Sequence, residues 1–448
     1  MPAMSILKHR RPELVSPTHV RSRGRRVSEP VSRIARRRGC QPLLGTLAVA
    51  AVLCVVPGPA AAAPGDDFYV PPSPLPTATN GDLIRTAEVT LLGGSPLAAA
   101  LPPVTATRIL YRSTDTHNTP IAVSGIVLNP TSPWHGLGPR PLVSYAVGTH
   151  GGGDSCAASK LIADAVTYDG SGSPMFEFSI ADLTALLAAG FAVVVTDYEG
   201  IGTPGGHTYL QPVSEGHAVL DAARAAIRLG AATPDAPVAV WGSSQGGGAA
   251  LGAAQLAASY APDLQVKGTV AVATPVDPAA AMTEADGSFA TGLIGLFVNG
   301  IIASHPELTT LVTEMLNPAG QQFLHATADQ CVTGSLPTWA MRSTSDFTTT
   351  GQTIIEALRS DPRTRAVLDG FVIGGMPPAD PMLIAQSDDD DLVPAGPTRE
   401  LAASWCAQGA DLTYLSASMG HAATLIVGND AIDYLSALFA GSPARSTC

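Results

Sequence analysis

The sequence predicts an α/β fold: a mostly parallel, twisted sheet with flanking helices and an inserted helical cap. Two observations lead to this class. Short β-branched runs alternate with alanine-rich segments of helical character, an order typical of parallel strands joined by right-handed crossovers. The alternation stops near residue 275 and returns near residue 379, so a helical insertion is expected between two parts of one sheet. With 448 residues, the chain has ample length for a large hydrophobic core.

The elements are expected in a simple order. A hairpin of strands 104–111 and 121–128 lies at one edge of the sheet. Further strands are predicted at 141–147, 191–197, 237–242 and 266–273, with helices at 181–189 and 214–229. After the insertion, strands 381–386 and 411–416 alternate with helices 395–408 and 425–439. Ser214 is the expected N-cap of helix 214–229, and Glu215 lies in its first turn.

The chain divides into five expected segments. Residues 1–63 form a leader and residues 64–103 a proline-rich extended wrap. Residues 104–274 form the first part of the α/β core, 275–378 the helical cap or lid, and 379–448 the second part of the core.

The leader has a basic region, a short chargeless apolar run and a small-residue exit, which together are typical of a secretory signal peptide. A membrane anchor is the competing interpretation, but the apolar run is too short to span a bilayer. Removing the leader takes away 11 of the 25 Lys and Arg residues and 2 of the 37 Asp and Glu residues, which leaves a net charge of −21. This charge argues against nucleic acid and anionic membranes as partners. We expect an exported monomer whose contact with any lipid interface is transient.

Residues 238–250 have the order strand, sharp turn, helix, with Gly242-x-Ser244-x-Gly246 at the turn. The glycines flank a serine on a strained corner, where larger neighbours would collide. The corner lifts the Ser244 hydroxyl above the sheet, and the Gln245 N–H begins a helix whose positive end faces an oxyanion. A chain with 45 glycines can contain this motif by chance, but the flanking strand and helix favour a nucleophile.

A serine nucleophile needs an imidazole to accept its proton and an acid to orient that imidazole. In enzymes with such an elbow, the acid and then the histidine follow the serine, each on a loop after a strand. His421 is the single histidine beyond residue 325, and it follows a predicted strand. The aspartates 388–391 follow the preceding strand, and their spacing to Pro394 favours Asp390, with Asp388 second. A solvated turn or a calcium loop is the alternative interpretation of four adjacent aspartates.

The second oxyanion donor is expected in the glycine-rich loop 148–153, after strand 141–147. Gly148, Thr149 and His150 are its candidate residues, because the glycines let the backbone approach a substrate closely. His150 is also an alternative general base, but its place before the serine does not fit the expected order.

Four cysteines remain after the leader: Cys156, Cys331, Cys406 and Cys448. An even number in an exported chain predicts two disulfides, and three pairings are open. None of the four has metal-ligand spacing, so no metal site is expected.

Further motifs extend this pattern along the chain: Asp67-Phe-Tyr-x-Pro-Pro72, Gly148-Thr-x-Gly-x-Gly-Asp154-x-Cys156-Ala, Asp197-Tyr-Glu-Gly-x-Gly202, Ser214-Glu-Gly-x-Ala-Val-Leu-Asp221 and Asp390-x-Leu-Val-Pro394. Together with the elbow and Gly420-His421, they resemble the secretory lipase family of exported fungal and actinobacterial enzymes. The resemblance implies an α/β-hydrolase core with a helical cap and a triad of Ser244, Asp390 and His421. It also implies disulfides Cys156–Cys331 and Cys406–Cys448. Ala158 departs from the pattern, since the family usually has proline there.

We therefore expect a secreted lipase or esterase that hydrolyses carboxylic esters, above all acylglycerols, without a metal or organic cofactor. Three alternatives remain open. A serine peptidase of the same fold and an acyltransferase share the acyl-enzyme step, and a non-catalytic binding protein shares only the scaffold.

Overall fold

The computed structural model describes residues 66–95, 98, 101–418, 420, 421 and 428–448. The expected leader and the first residues of the predicted helix 425–439 lie outside this part of the chain. None of the described helices combines the length and the apolar character needed to cross a membrane.

A nine-stranded sheet forms the centre of the protein. The strands in chain order are β1 (Leu83–Val89), β2 (Val104–Thr114), β3 (Pro120–Pro130), β4 (Leu142–Ala146), β5 (Val166–Tyr168), β6 (Pro174–Phe176), β7 (Ala192–Thr196), β8 (Pro237–Ser243), β9 (Gln265–Val272), β10 (Met382–Ser387) and β11 (Leu412–Ala417). Across the sheet they follow the order β1-β2-β3-β7-β4-β8-β9-β10-β11, and β5 and β6 pair separately. All neighbours from β7 to β11 are parallel, which confirms the predicted α/β class.

The predicted hairpin is present as β2 and β3, but it does not form the edge of the sheet. The edge strand is β1, which pairs antiparallel with β2. Sequence reasoning placed this segment in the proline-rich wrap, because its residues are partly exposed and form no apolar run. The short ribbon of β5 and β6 was also not predicted.

The central strands are buried along their whole length. Every residue of β4, β7 and β10 is buried. Continuous burial of this kind requires helices on both faces of a parallel sheet. The helices in chain order are α1 (Ala158–Asp164), α2 (Ile180–Ala188), α3 (Pro212–Leu229), α4 (Gln245–Tyr260), α5 (Pro278–Ala285), α6 (Gly292–Ser304), α7 (Thr309–Met315), α8 (Pro318–Asp329), α9 (Val332–Trp339), α10 (Ile354–Ser360), α11 (Pro362–Gly370), α12 (Ala395–Ala407) and α13 (Gly428–Phe439).

Helix α3 begins earlier than predicted, and Ser214 is not its N-cap. The Gln211 side chain accepts hydrogen bonds from the Val213 N–H at 2.7 Å and the Ser214 N–H at 2.9 Å. Pro212 occupies the first turn, where its fixed φ suits the helix and its missing N–H costs nothing. The Ser214 hydroxyl donates instead to the carboxylate of Glu199.

Between β9 and β10 the chain forms the seven helices α5–α11 and no strand. These helices bury an apolar cluster of their own, with Phe297, Ile301, Phe323 and Phe347 among its members. Tyr209, from the loop before α3, joins this cluster and so connects it to the sheet domain.

Two disulfides cross-link the described chain with the pairing that the family resemblance implies. Cys156–Cys331 joins the glycine-rich loop after β4 to the start of α9, and its two residues lie 175 positions apart. Cys406–Cys448 joins α12 to the last residue of the chain.

Candidate active site

The turn between β8 and α4 has the geometry of a nucleophile elbow. Ser244 adopts φ 57° and ψ −123°, a left-handed conformation that is strained for a residue with a side chain. A Cβ atom on Gly242 would lie 2.0 Å from the Gly246 carbonyl oxygen, and one on Gly246 would lie 2.0 Å from the Ala146 carbonyl oxygen. The two glycines are therefore required by the close approach of α4 to β8 and β4.

Ser244, His421 and Asp390 form a continuous hydrogen-bonded chain. The His421 Nε2 atom lies 3.0 Å from the Ser244 Oγ atom, and the Nδ1 atom lies 3.0 Å from each carboxylate oxygen of Asp390. Asp390 follows β10 and His421 follows β11, so both come from the carboxyl edge of the parallel strands. Nδ1–H donation to Asp390 leaves Nε2 as the acceptor for the serine proton.

The environment of Asp390 stabilises its ionised form. Burial alone would raise the pKa of Asp390, but the hydrogen bond and charge of His421 and the N–H groups of Val393 and Leu392 hold the pKa below its usual value. These two N–H groups lie 2.8 and 3.0 Å from Oδ1, and the Gln386 side chain donates to Oδ2 at 3.1 Å. The Asp390 carboxylate is therefore oriented by its own loop and by Gln386 of β10, independently of its contact with the histidine.

The neighbouring aspartates have other partners. Asp388, the second candidate from the sequence, is exposed and forms an ion pair with Arg399 at 2.6 Å. Asp389 accepts a hydrogen bond from the Ser418 hydroxyl, and Asp391 accepts one from the His421 N–H at 2.8 Å. Within the described residues, no group of three or more His, Cys, Asp or Glu side chains has the arrangement of a metal site.

A cavity of about 350 Å³ opens beside Ser244. Ser244 and His421 lie on its wall, as do Gly148 and Thr149 of the glycine-rich loop. Segment 275–378 contributes four apolar residues to the lining: Phe289, Leu293, Val332 and Leu336. The cavity is therefore a mainly apolar space directly in front of the candidate nucleophile.

The three candidate residues of the oxyanion loop have different positions. Gly148 and Thr149 line the cavity, whereas His150 is 2% exposed and is not among the residues that line it. In the described part of the chain, neither the Thr149 N–H nor the Gln245 N–H donates a hydrogen bond to another residue. Both ring nitrogens of His150 are engaged by Gly148 and Glu177, so His150 does not contact Ser244 as a base.

A buried polar network, which the sequence did not reveal, holds the side chain of Gln245 in place. The Gln245 amide nitrogen donates to Glu215 Oε1 at 2.7 Å and to His207 Nε2 at 2.8 Å. Burial raises the pKa of Glu215 to about 8, against hydrogen bonds from Gln245 and the Leu210 N–H. Burial lowers the pKa of His207 to about 4, so both groups are neutral at mildly acidic pH. The side chain after the nucleophile is thus held by uncharged partners.

The elbow on a mostly parallel nine-stranded sheet, with acid and histidine after later strands, defines the class as an α/β-hydrolase fold. A profile of the secretory lipase family matches residues 176–447. A probable inactive lipase of Mycobacterium tuberculosis is 32% identical over 359 residues, which cover 78% of this chain and 76% of that protein. The chain belongs to the secretory lipase family.

Two further comparisons agree with this assignment. A secreted triacylglycerol lipase of Malassezia furfur is 26% identical over 397 residues, covering 86% of this chain and 77% of that protein. The crystal structure of Candida antarctica lipase A in its closed state is similar, with a TM-score of 0.75 and 24% identity. That match covers 87% of this chain and 89% of the lipase, and it shows that the fold is shared.

Proposed function

We propose that this protein is a secreted carboxylic ester hydrolase, a lipase or esterase, in which Ser244, His421 and Asp390 form the catalytic triad. The observation that carries the proposal is the unbroken chain of 3.0 Å hydrogen bonds from the serine hydroxyl through the imidazole to the carboxylate. Such a chain activates a hydroxyl that is otherwise a weak nucleophile at neutral pH.

The reaction has two halves. His421 accepts the Ser244 proton as Oγ attacks the ester carbonyl, and the resulting imidazolium gives that proton to the departing alcohol. A water molecule, deprotonated by His421, then attacks the acyl-enzyme and releases the carboxylic acid while the proton returns to Ser244. Asp390 keeps the imidazole in one tautomer and stabilises its cationic form in both halves.

Two backbone N–H groups are suited to bind the oxyanion. The Gln245 N–H lies at the start of α4, where the helix dipole favours negative charge. The Thr149 N–H belongs to the glycine-rich loop, and Thr149 lines the same cavity as Ser244. Because both donors lack a partner in the described chain, they are available to the tetrahedral intermediate.

The cavity supports a substrate with an apolar acyl group. Phe289, Leu293 and Leu336 come from the segment 275–378, which we propose acts as a lid over the core segments 104–274 and 379–448. The Malassezia relative is named a triacylglycerol lipase, and we therefore propose acylglycerols as the substrate class. We also propose that the chain is exported and acts as a monomer, in line with its family and its two disulfides.

The name of the mycobacterial relative favours a second candidate, a protein that keeps the fold without catalysis. The present chain retains a serine, a histidine and an aspartate in hydrogen-bonding contact, which a non-catalytic scaffold does not need. The two candidates make opposite predictions for covalent labelling.

A fluorophosphonate reagent tests the proposal on the purified protein without its leader. We expect labelling of Ser244 and hydrolysis of tributyrin, both abolished in Ser244→Ala, because the Ser244 hydroxyl lies 3.0 Å from His421 Nε2 and is the proposed nucleophile. Ser259→Ala, an exposed serine at the far end of α4, is the matched control and should keep full activity. Ester hydrolysis that survives in Ser244→Ala would sink the mechanism, and an unlabelled wild-type protein would favour the non-catalytic scaffold.

A further inference from the structure

Below the glycine-rich loop lies a buried pair of residues, His150 and Glu177, that the proposed mechanism does not use. Their side chains are 2% and 1% exposed, and the Nε2–Oε2 distance is 2.9 Å. The second ring nitrogen, Nδ1, donates to the Gly148 carbonyl oxygen at 2.7 Å. The second carboxylate oxygen of Glu177 accepts the Ser179 N–H at 2.7 Å. The pair thus connects the loop 148–153 to the segment 177–179.

The proton count of this pair follows from its partners. A backbone carbonyl only accepts, so Nδ1 carries a hydrogen. The 2.9 Å contact between Nε2 and Glu177 Oε2 holds a second hydrogen, and the ionised form of Glu177 favours its place on Nε2. Burial alone would lower the pKa of His150, but the charge and hydrogen bond of Glu177 and the Gly148 carbonyl raise it above its usual value. Burial alone would raise the pKa of Glu177, but His150 and the Ser179 N–H hold it below its usual value.

Other titratable groups act on the pair more weakly. Asp197 adds to the rise in the pKa of His150. His207 is neutral at physiological pH, because burial lowers its pKa to about 4. Asp182 also senses the pair, since the charge of Glu177 contributes to the raised pKa of Asp182. Phe178 stacks on the His150 ring with centroids 4.6 Å apart and excludes water from that face. The dominant partner of His150 is therefore Glu177.

The bond to Gly148 has a geometric consequence in front of the pair. In a trans peptide, the C=O and the following N–H point in opposite directions. The Gly148 carbonyl is directed at the buried imidazole, so the Thr149 N–H of the same peptide is directed away from it. Gly148 and Thr149 line the cavity that contains Ser244, and this N–H donates to no described residue.

We propose that His150 and Glu177 are positioning residues for the oxyanion hole, which hold the Gly148 carbonyl inward and thereby keep the Thr149 N–H directed at the reacting ester. Neither residue touches the substrate. The inference rests on the proposed function, since it assigns a task only within ester hydrolysis. When the imidazolium loses a proton, the remaining hydrogen stays on Nε2, which faces the charged Glu177 carboxylate, so Nδ1 no longer donates to the Gly148 carbonyl. The oxyanion donor is then no longer held.

The proposal predicts an alkaline limb in kcat. Because the pKa of His150 is raised in the folded protein, the positioned state persists at neutral pH and is lost as the pH rises through that pKa. Wild-type kcat for a soluble ester should therefore fall on the alkaline side, although His421 remains a competent base there. A flat alkaline plateau in wild-type kcat would overturn the proposal without any variant.

Glu177→Gln is the informative variant, because its amide oxygen still accepts from Nε2 while its charge is gone. We expect the alkaline limb to move to lower pH and kcat at neutral pH to fall about tenfold to a hundredfold, short of the 10²–10³-fold loss of a whole donor. KM should change far less, since the oxyanion exists only in the transition state. His150→Asn should show no alkaline limb and a low kcat at every pH.

Glu307→Gln is the matched control, because it removes an exposed carboxylate that pairs with a histidine, His305, in the cap. Its pH profile should equal that of the wild type. An active wild type with unchanged profiles in Glu177→Gln and His150→Asn would overturn the positioning role alone. A wild type that neither binds fluorophosphonate nor hydrolyses esters would instead overturn the proposed function.

Discussion

Among four consecutive aspartates, only Asp390 contacts an imidazole. Its oxygens receive hydrogen bonds from two backbone N–H groups of its own loop and from Gln386, so the side chain has one orientation. Asp388, only two positions away, faces solvent and Arg399. Asp390 and Asp388 have different partners because side chains two residues apart on this turn point in different directions.

Asp390→Asn should therefore lower kcat on the order of 10⁴-fold, because a neutral amide no longer selects the tautomer with a free Nε2 acceptor. Asp388→Asn removes the same charge from the same turn and should leave kcat within about twofold. Steady-state rates on a soluble ester measure both. Equal losses in the two variants would contradict the assignment of the acid.

Glu215 makes a second residue-scale prediction, about stability. Its pKa rises to about 8 in the folded protein, above its ordinary value of 4.5. The native state therefore binds more protons than the unfolded state between these pH values, and the free energy of unfolding falls as the pH rises through that window. One pKa unit corresponds to about 1.4 kcal/mol, so the cost reaches on the order of 4 kcal/mol at pH 8.

Glu215→Gln removes this titration while keeping an acceptor for Gln245 and the Leu210 N–H. We expect its melting temperature to match the wild type at pH 5 and to exceed it at pH 8. Glu284→Gln, on the exposed side of α5, should follow the wild type at both values. A parallel fall of all three proteins between pH 5 and pH 8 would argue against a buried neutral Glu215.

At the scale of elements, the glycine-rich loop and the cap are joined by more than a disulfide. Gly151 forms an isolated β-bridge with Cys331, and hydrogen bonds connect Gly152 to Gln330 and Val332 to His150. Cys156–Cys331 therefore links the wall of the cavity to the start of α9. Cys406–Cys448 lies away from this contact and restrains only the C-terminal residues.

The two disulfides should differ in their effect on catalysis. Loss of Cys156–Cys331 should cost roughly 5 kcal/mol by loop-closure entropy and also lower kcat, since the loop is released from the cap. Loss of Cys406–Cys448 should cost roughly 4 kcal/mol and leave kcat unchanged. Thermal unfolding measures the stability of Cys156→Ala/Cys331→Ala and Cys406→Ala/Cys448→Ala. Steady-state rates, divided by the concentration of active sites, give kcat for both double variants. A normal kcat in the first double variant would mean that the cap does not support the loop.

Local patterns account for the elements that sequence reasoning found. The central strands are continuous apolar runs, and the elbow needs glycines on both sides of Ser244, so each leaves a signal within a few residues. Strand β1 leaves no such signal, because an edge strand is half exposed and its pairing with β2 is a tertiary event. The N-cap of α3 was misplaced because Gln211 caps with a longer side chain than the residue types usually expected there.

At the scale of the whole molecule, the positions of Asp390 and His421 were predictable, because in this fold the candidate acid and histidine follow later strands than the serine does. The supporting residues were not. Glu177 meets His150 across 27 positions, and Glu215 meets Gln245 across 30, and neither glutamate belongs to a pattern that specifies its partner. Only the folded sheet brings these side chains together, so burial and pairing had to be read from the structure.

The separation of the proposed triad along the chain has a consequence for biogenesis. Ser244 stands at the centre of the sheet, whereas His421 follows β11, the last strand in the described part of the chain. When the elbow leaves the ribosome, the helices α5–α11 and the strands β10 and β11 are still to be made before the His421 imidazole can reach the serine. Under the proposed mechanism, a partly made chain therefore has the Ser244 hydroxyl without its general base and cannot yet hydrolyse an ester.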